Sequence, residues 1–225
     1  MDPKRIFWTF FTFVTVTLLT ANGARAQILA PLGPLEDGVV TYFIAAPIEE
    51  AEARPADTDL ALWAFESWQR AAGGKLKFVE AAAEAEALVR LYWVPAAGGQ
   101  YGEMRPLEVR GRRGAAVYIR PDTSALGSEI ATRAGLDPLF RETIVYLTCL
   151  HELGHALGLS HTAEFEDVMY FFGFGGDIGE FFGRYRRTLR ERDDIRGSSG
   201  LSAGDLAKLE ELYGSLGRGQ VTAAN

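Results

Sequence analysis

The sequence predicts an α+β fold, in which a twisted, mixed and mainly parallel sheet of five strands packs against long helices. Several short runs in the first half of the chain are rich in β-branched and aromatic residues, which is typical of strands. Longer segments place apolar residues at three- and four-residue spacing, which is typical of helices that bury one face. A chain of 225 residues is also long enough to bury a sizeable core.

The strands are predicted from composition and from the turn residues between them. They lie at residues 39–45, 76–79, 87–93, 107–110 and 115–119. The segment 95–114 is rich in Gly and Arg, and we expect it to be an exposed loop that includes only the short edge strand at 107–110. Pro121 ends the last strand, because proline cannot donate to a sheet ladder.

Two helices are predicted in the first two thirds of the chain. The first begins at Asp57 or Thr58 as its cap and runs to about residue 71. The apolar face of this helix consists of Leu60, Trp63, Ala64, Trp68 and Ala71. The second has Asp137 as its N-cap and Pro138 at its first position, and it is expected to reach Gly158.

Two more helical patterns follow near the end of the chain. The third apolar stripe consists of Ile178, Phe181, Phe182, Tyr185 and Leu189. Such a stripe is most often the buried side of a helix. The last helix begins at Ser202, which forms a capping-box-like pattern with Asp205, and it ends before Gly214.

Residues 1–26 are predicted to be a secretory signal peptide. Lys4 and Arg5 form a basic start, the run 6–20 is apolar, and Ala24-Arg25-Ala26 supplies the small-residue cleavage pattern. The alternative is an uncleaved anchor, for which the run is short, since a membrane span needs about 20 apolar residues. We therefore expect a secreted or periplasmic protein that has no membrane contact after cleavage.

The net charge limits the classes of partner that the protein can bind, and the cysteine content limits its disulfides. The chain carries 23 Lys and Arg against 30 Asp and Glu, a formal net charge of −7, which argues against nucleic acid or anionic lipid. Cys149 is the only cysteine, so no intrachain disulfide can form. The mature chain, residues 27–225, fits one domain.

The three histidines of the sequence lie within eleven residues, at 151, 155 and 161. His151 and His155 are four residues apart on the predicted helix, so both imidazoles can contact one ion. Gly158 permits a sharp turn that returns His161 as a third ligand. Three nitrogen ligands leave one open position on a tetrahedral zinc, which is typical of catalytic sites. Glu152 is placed to reach a water there without being a ligand.

Three nearby residues have a structural and a functional interpretation. Met169 is either an ordinary core methionine or a hydrophobic floor beneath the metal, and its fixed distance from His161 favours the floor. Asp167 could accept a hydrogen bond from a ligand imidazole, although a backbone carbonyl would serve as well. Cys149 points away from the metal face of the helix, and we expect it to be a buried, inert thiol.

These residues resemble the metzincin peptidases and, among them, the matrixins, which are matrix-metalloproteinase-like catalytic domains. The resemblance rests on the histidine motif, on Met169 and Tyr170 eight and nine residues beyond His161, and on segments 201–205 and 212–214. It implies an upper part at about 27–158 and a small C-terminal subdomain at about 159–225. A peptide would lie extended in the cleft between them, along an edge strand expected between Leu107 and Ile119. The stripe at 178–189 could then wall a substrate pocket.

The chain also departs from the matrixin pattern. Phe171 stands where proline usually follows Met-Tyr, and Thr162 stands where serine is commonest. The segment 171–200 is longer than expected. No histidine remains for a second, structural zinc, and no cysteine lies upstream to form a cysteine switch.

The expected function is a zinc-dependent endopeptidase with one catalytic Zn²⁺, a protein or peptide substrate, and Glu152 as the general base. Two other classes fit parts of the pattern: a zinc-binding module without activity, and a zinc hydrolase of small amides or non-peptide bonds. Glu152 argues against the first, because a pure binding site has no use for it. A calcium ion and the oligomeric state are left open by the sequence.

Overall fold

The computed structural model describes Leu32 and the segments 35–96 and 101–216 of the chain. The predicted signal peptide, residues 1–26, lies outside the described residues. Within the described segments, no helix combines the length and the apolar composition needed to cross a membrane.

A five-stranded sheet forms the frame on which the helices pack. Its strands are β1 (Val39–Ile44), β2 (Lys77–Glu80), β3 (Val89–Trp93), β4 (Gly102–Val109) and β5 (Arg112–Ile119). Their spatial order is β2-β1-β3-β5-β4, and all neighbouring pairs are parallel except the antiparallel pair of β4 and β5. The predicted α+β class with a mixed, mainly parallel sheet is confirmed, and β4 forms one edge of the sheet.

The predicted exposed loop at 95–114 was wrong over most of its length. Residues 102–119 instead form a hairpin of β4 and β5, with Val109 paired to Arg112 across a two-residue turn. Arg110 and Gly111 have φ values of 52° and 76°, as the tightest hairpin turns require at both positions. Arg-Gly is a weaker signal for this turn than Asn-Gly. Pro106 is tolerated because β4 is an edge strand.

The helices are α1 (Asp57–Ala71), α2 (Ser128–Leu136), α3 (Pro138–Ala156), α4 (Ile178–Arg186), α5 (Asp194–Gly197) and α6 (Ala203–Tyr213). The four predicted helices correspond to α1, α3, α4 and α6. The Asp137 side chain accepts a hydrogen bond from the amide of Phe140, as the predicted N-cap of α3 should. Helix α2 was not predicted, because it follows Gly127 without a side-chain cap and buries only Ile130 and Ala134.

The predicted cap of α1 needs correction. Asp57 is already the first helical residue, after Ala56, and its carboxylate instead binds Arg141 of α3 through two hydrogen bonds of 2.6 and 2.8 Å. Both side chains are buried, so this pair joins the start of α1 to α3. A tertiary partner has taken the carboxylate that a local reading assigned to the helix end.

Helices α1 and α3 pack side by side in the core, and α3 also contacts β4 and β5. The indole N–H of Trp68 donates to the backbone carbonyl of Leu150, at 2.9 Å. One turn earlier, the hydroxyls of Ser67 and Tyr146 share a hydrogen bond of 2.8 Å. These buried contacts fix the C-terminal half of α3, which carries His151 and His155, in position relative to α1.

Candidate metal centre

The C-terminal end of α3 turns the chain back toward its own last turn. Gly158 has a φ of 97°, a conformation that favours glycine. Its amide donates to the carbonyl of His155, and the amide of Leu159 donates to the carbonyl of Gly154, both at 2.9 Å. This pair of bonds is the Schellman arrangement that ends many helices. It reverses the chain so that His161 faces the two histidines of α3.

The three imidazoles converge on one point. The Nε2 atom of His161 lies 3.3 Å from Nε2 of His151 and 3.1 Å from Nε2 of His155. The Nδ1 atom of His151 lies 2.6 Å from the carbonyl oxygen of Val168, and that of His155 lies 2.9 Å from the carbonyl oxygen of Leu159. A carbonyl only accepts, so each Nδ1 carries the proton and donates it, which leaves the Nε2 lone pairs free.

This geometry fits a zinc ion. Zinc–nitrogen bonds of about 2.0–2.1 Å in a tetrahedron place the nitrogens about 3.3 Å apart, close to the spacings found here. Bare nitrogen lone pairs that face each other at this distance repel, and a cation between them removes the repulsion. Within the described residues, His151, His155 and His161 form a group whose ligand atoms lie close enough together to hold one metal ion. Three ligands leave one tetrahedral position open.

Burial keeps the imidazoles of α3 in the form that binds metal. Loss of water lowers the pKa of His151 to about 3 and that of His155 to about 4, and the neighbouring imidazoles add to the effect. Partial burial also lowers the pKa of His161. The rings are therefore neutral at pH 7, as a metal ligand must be.

Glu152 lies beside the imidazoles in a dry environment and is only 5% exposed. Burial raises the pKa of its carboxyl to about 8, against the lowering effect of the Arg120 charge, while the charge of Glu103 adds to the rise. A carboxylate with a raised proton affinity is a better proton acceptor than one in water. A bound dication nearby would favour the ionised form.

The edge strand β4 passes directly over Glu152. A Cβ atom on Gly102 would lie 2.4 Å from Oε1 of Glu152, so only glycine permits this approach. Tyr101 precedes it, and burial together with the Glu152 charge raises the pKa of its hydroxyl. The edge strand was expected between Leu107 and Ile119. That range was wrong for the part next to the site, because β4 already begins at Gly102.

Met169 lies underneath the helix that carries the histidines. Its side chain is 1% exposed, and its sulfur lies 2.4 Å from the place where a Cβ on Gly154 would be. The ring of Trp68 borders the same spot. This position agrees with the predicted hydrophobic floor. Cys149 is fully buried, which raises the pKa of its thiol and agrees with an inert role.

The segment before Met169 is held by Asp205, a residue that the sequence predicts only as part of a helix cap. The carboxylate of Asp205 accepts hydrogen bonds from the amides of Ser202 and Val168, both at 2.9 Å. Asp167 does not bond a ligand imidazole of α3 as proposed, because backbone carbonyls take both Nδ1 protons. Its carboxylate accepts instead from the hydroxyl of Ser202, at 2.5 Å. Both acids therefore join the methionine segment to the start of α6.

The apolar stripe of α4 is the buried side of that helix. Phe181, Phe182 and Tyr185 are at most 7% exposed, and Leu189, which follows the end of the helix, is also buried. Phe182 is fully buried, with its ring edge against Tyr101 at a centroid distance of 5.8 Å. Through Phe182, the stripe thus supports Tyr101, the residue before Gly102.

The structure brings the four predicted site residues together: His151, Glu152, His155 and His161. Residues 36–175 match the Matrixin peptidase family, a stretch that holds all four together with Met169. No curated protein matches the chain. The match covers more than half of the sequence, and this family consists of zinc-dependent endopeptidases. The chain therefore belongs to the matrixin family of zinc metallopeptidases, enzymes that hydrolyse peptide bonds.

Proposed function

We propose that the protein is an exported endopeptidase in which His151, His155 and His161 hold one catalytic zinc and Glu152 is the general base. The observation that carries this proposal is that Nε2 of His161 lies within 3.3 Å of Nε2 of both His151 and His155, next to a buried carboxylate. In His151 and His155, the ring proton is on Nδ1, which donates it to a backbone carbonyl, so Nε2 is free to bind a metal. Such preset ligands bind a cation without rearrangement.

The chemistry follows from the position of Glu152. A bound zinc ion supplies Lewis-acid polarisation of the scissile carbonyl and lowers the pKa of a water to about 7. Glu152 then accepts the proton of the attacking water and passes it to the nitrogen of the leaving amine. Its burial, which raises the pKa of the carboxyl to about 8, supports both the uptake and the return of that proton.

The substrate is proposed to bind as an extended strand along β4, in a cleft between the part at 27–158 and the subdomain at 159–225. Strand β4 is the edge of the sheet, so one side of its backbone can pair with a peptide. Gly102 brings that backbone against Glu152. A peptide paired with β4 would therefore pass close to the general base.

Export is proposed to depend on residues 1–26, with cleavage after Ala26. N-terminal sequencing of the protein recovered outside the cytoplasm tests this proposal. A mature protein that begins at residue 27 is the expected result. A protein that keeps Met1 and stays with the membrane would instead indicate the anchor interpretation.

The deciding experiment for the catalytic assignment is a pair of variants, Glu152→Gln and His151→Ala. The first should retain about one zinc per chain while the hydrolysis of a casein-like substrate falls by at least about a thousandfold. The second should lose zinc and activity together, because two nitrogens remain. Exposed Glu166→Gln serves as the control and should match the wild-type enzyme. Full activity in Glu152→Gln would remove Glu152 from the mechanism.

A further inference from the structure

The third proposed ligand, His161, is held differently from the other two. His151 and His155 lie on α3 and donate Nδ1–H to carbonyls, whereas His161 lies beyond Gly158 and is exposed. In the described part of the chain, no carbonyl is bonded to Nδ1 of His161. The contact that fixes its ring plane is a stack on Phe171, with centroids 4.7 Å apart and planes 24° from parallel.

The backbone around His161 brings Phe171 to this place. The amide of Thr162 donates to the carbonyl of Met169 at 2.9 Å, and the amide of Phe171 donates to the carbonyl of Thr162 at 3.1 Å. These two bonds form a short parallel bridge that closes the loop between them. The bridge places Thr162 beside Tyr170. Their neighbours His161 and Phe171 are thereby close enough for the two rings to stack.

The Phe171 ring also contacts the turn that follows it. A Cβ on Gly173 would lie 2.0 Å from an edge carbon of this ring, so the ring rests directly on the Gly173 backbone. Phe174 meets it edge-on, at a centroid distance of 5.7 Å. The ring of Phe171 therefore contacts both the imidazole of His161 and the backbone of Gly173, although it remains 45% exposed.

We propose that Phe171 is a positioning residue for His161 and that its stacking sets how long the bound metal stays. An exposed imidazole on a loop can rotate about two side-chain bonds, and each rotation removes a ligand from the metal. A stacked ring restricts that rotation, as the carbonyl bonds do for the two histidines of α3. This inference rests on the proposed function only in taking His161 to be a ligand.

The test measures zinc release rather than peptide cleavage. Zinc-loaded protein is mixed with an excess of a chromogenic chelator, and the dissociation rate is followed. Phe171→Ala should release zinc about tenfold faster, the size expected when an aromatic contact is lost. Phe171→Tyr and Phe171→Trp, which retain a planar ring, should restore the wild-type rate.

A second substitution reaches the same contact from the other side. Gly173→Ala should displace the Phe171 ring and increase the release rate as Phe171→Ala does. Phe174→Ala is the matched control, since Phe174 is exposed and contacts Phe171 rather than His161; it should release zinc at the wild-type rate. Phe171→Leu, which keeps apolar bulk without a planar ring, replaces the alanine variant if the latter does not fold.

Equal release rates in the wild type, Phe171→Ala and Phe171→Leu would overturn the inference. A wild-type protein that binds no zinc would overturn the proposed metal site itself, which is a separate and earlier failure. Faster release in Phe174→Ala than in Phe171→Ala would also overturn it, because the effect would then come from the loop as a whole.

Discussion

The two halves of the candidate metal centre are held in place by different kinds of contact. His151, Glu152 and His155 lie on a buried helix whose position is set by core packing and by the Trp68 contact to Leu150. His161 lies on a loop that depends on two backbone bonds, one ring stack and the carboxylate of Asp205. One motif of eleven residues therefore joins a part that the core holds rigidly, on α3, to a part that only local contacts hold, around His161.

The buried half should respond most strongly to acid. In the metal-free protein, an unfolded imidazole takes up its proton near pH 6.5, whereas folded His155 and His151 take theirs only near pH 4 and pH 3. The unfolded state thus binds more protons as the pH falls below 6.5. The free energy of unfolding should then drop by about 1.4 kcal/mol per pH unit for each of the two groups.

Glu152 acts in the opposite direction, because its folded pKa is raised and the folded state holds the extra proton between about pH 4.5 and pH 8. The measurement is therefore best made on metal-free Glu152→Gln protein by urea unfolding between pH 7 and pH 4. A further His151→Gln substitution should reduce the slope by about half. A free energy of unfolding that does not change with pH would show that these imidazoles are not buried as described.

Glu152, the proposed general base, should be sensitive to the strand β4 that lies above it. Gly102→Ala places a methyl group 2.4 Å from Oε1 of Glu152, so the carboxylate must move. We expect kcat to fall by about a hundredfold, the size that a displacement of about 1 Å can cause, while zinc content stays at one per chain. Gly135→Ala is the control, because a Cβ there meets no atom within 4 Å. Loss of zinc in Gly102→Ala would place the damage in the ligands instead.

The loop half should respond to the acid that supports it. The amides of Ser202 and Val168 both donate to Oδ2 of Asp205, and the amide of Met169 donates to Oδ1, at 3.4 Å. Asp205→Asn replaces one of these two oxygens with an NH2 group, which faces a backbone N–H that it cannot accept from. The free energy of unfolding should fall by about 1–3 kcal/mol, the cost of buried donors left without a partner. Exposed Glu211→Gln, on the same helix, should change it by less than about 0.5 kcal/mol. Equal effects of the two variants would contradict the role given to Asp205.

Some of the site was readable because its signals are local. The spacing of the histidines, the glycine after the helix and the distance to Met169 each concern a few residues along one chain. The same holds for the Asp137 cap of α3 and the capping box of α6, both of which the structure confirms. The β4–β5 hairpin was partly missed, because its Arg-Gly turn and Arg-rich strands look like a loop when read locally.

Other parts of the site could not be read from the sequence, because they join distant segments. Gly102 approaches Glu152 from fifty positions away, and Asp205 reaches Val168 from the last helix. Asp57 offered a plausible helix cap, but the buried guanidinium of Arg141 competes for the same carboxylate. No local sequence pattern distinguishes an aspartate that caps a helix from one that pairs with a distant residue in the folded protein.

The sequence by itself determined which three histidines come together, the helix that carries two of them, and the turn that returns the third. Helical periodicity and glycine conformation act over a few residues, so they leave a direct trace in the order of residues. Only the tertiary structure decided which strand lies against Glu152, which carboxylate holds the methionine segment, and which ring stacks on His161. Those contacts depend on how distant elements pack, and packing is set by the whole core rather than by any one segment.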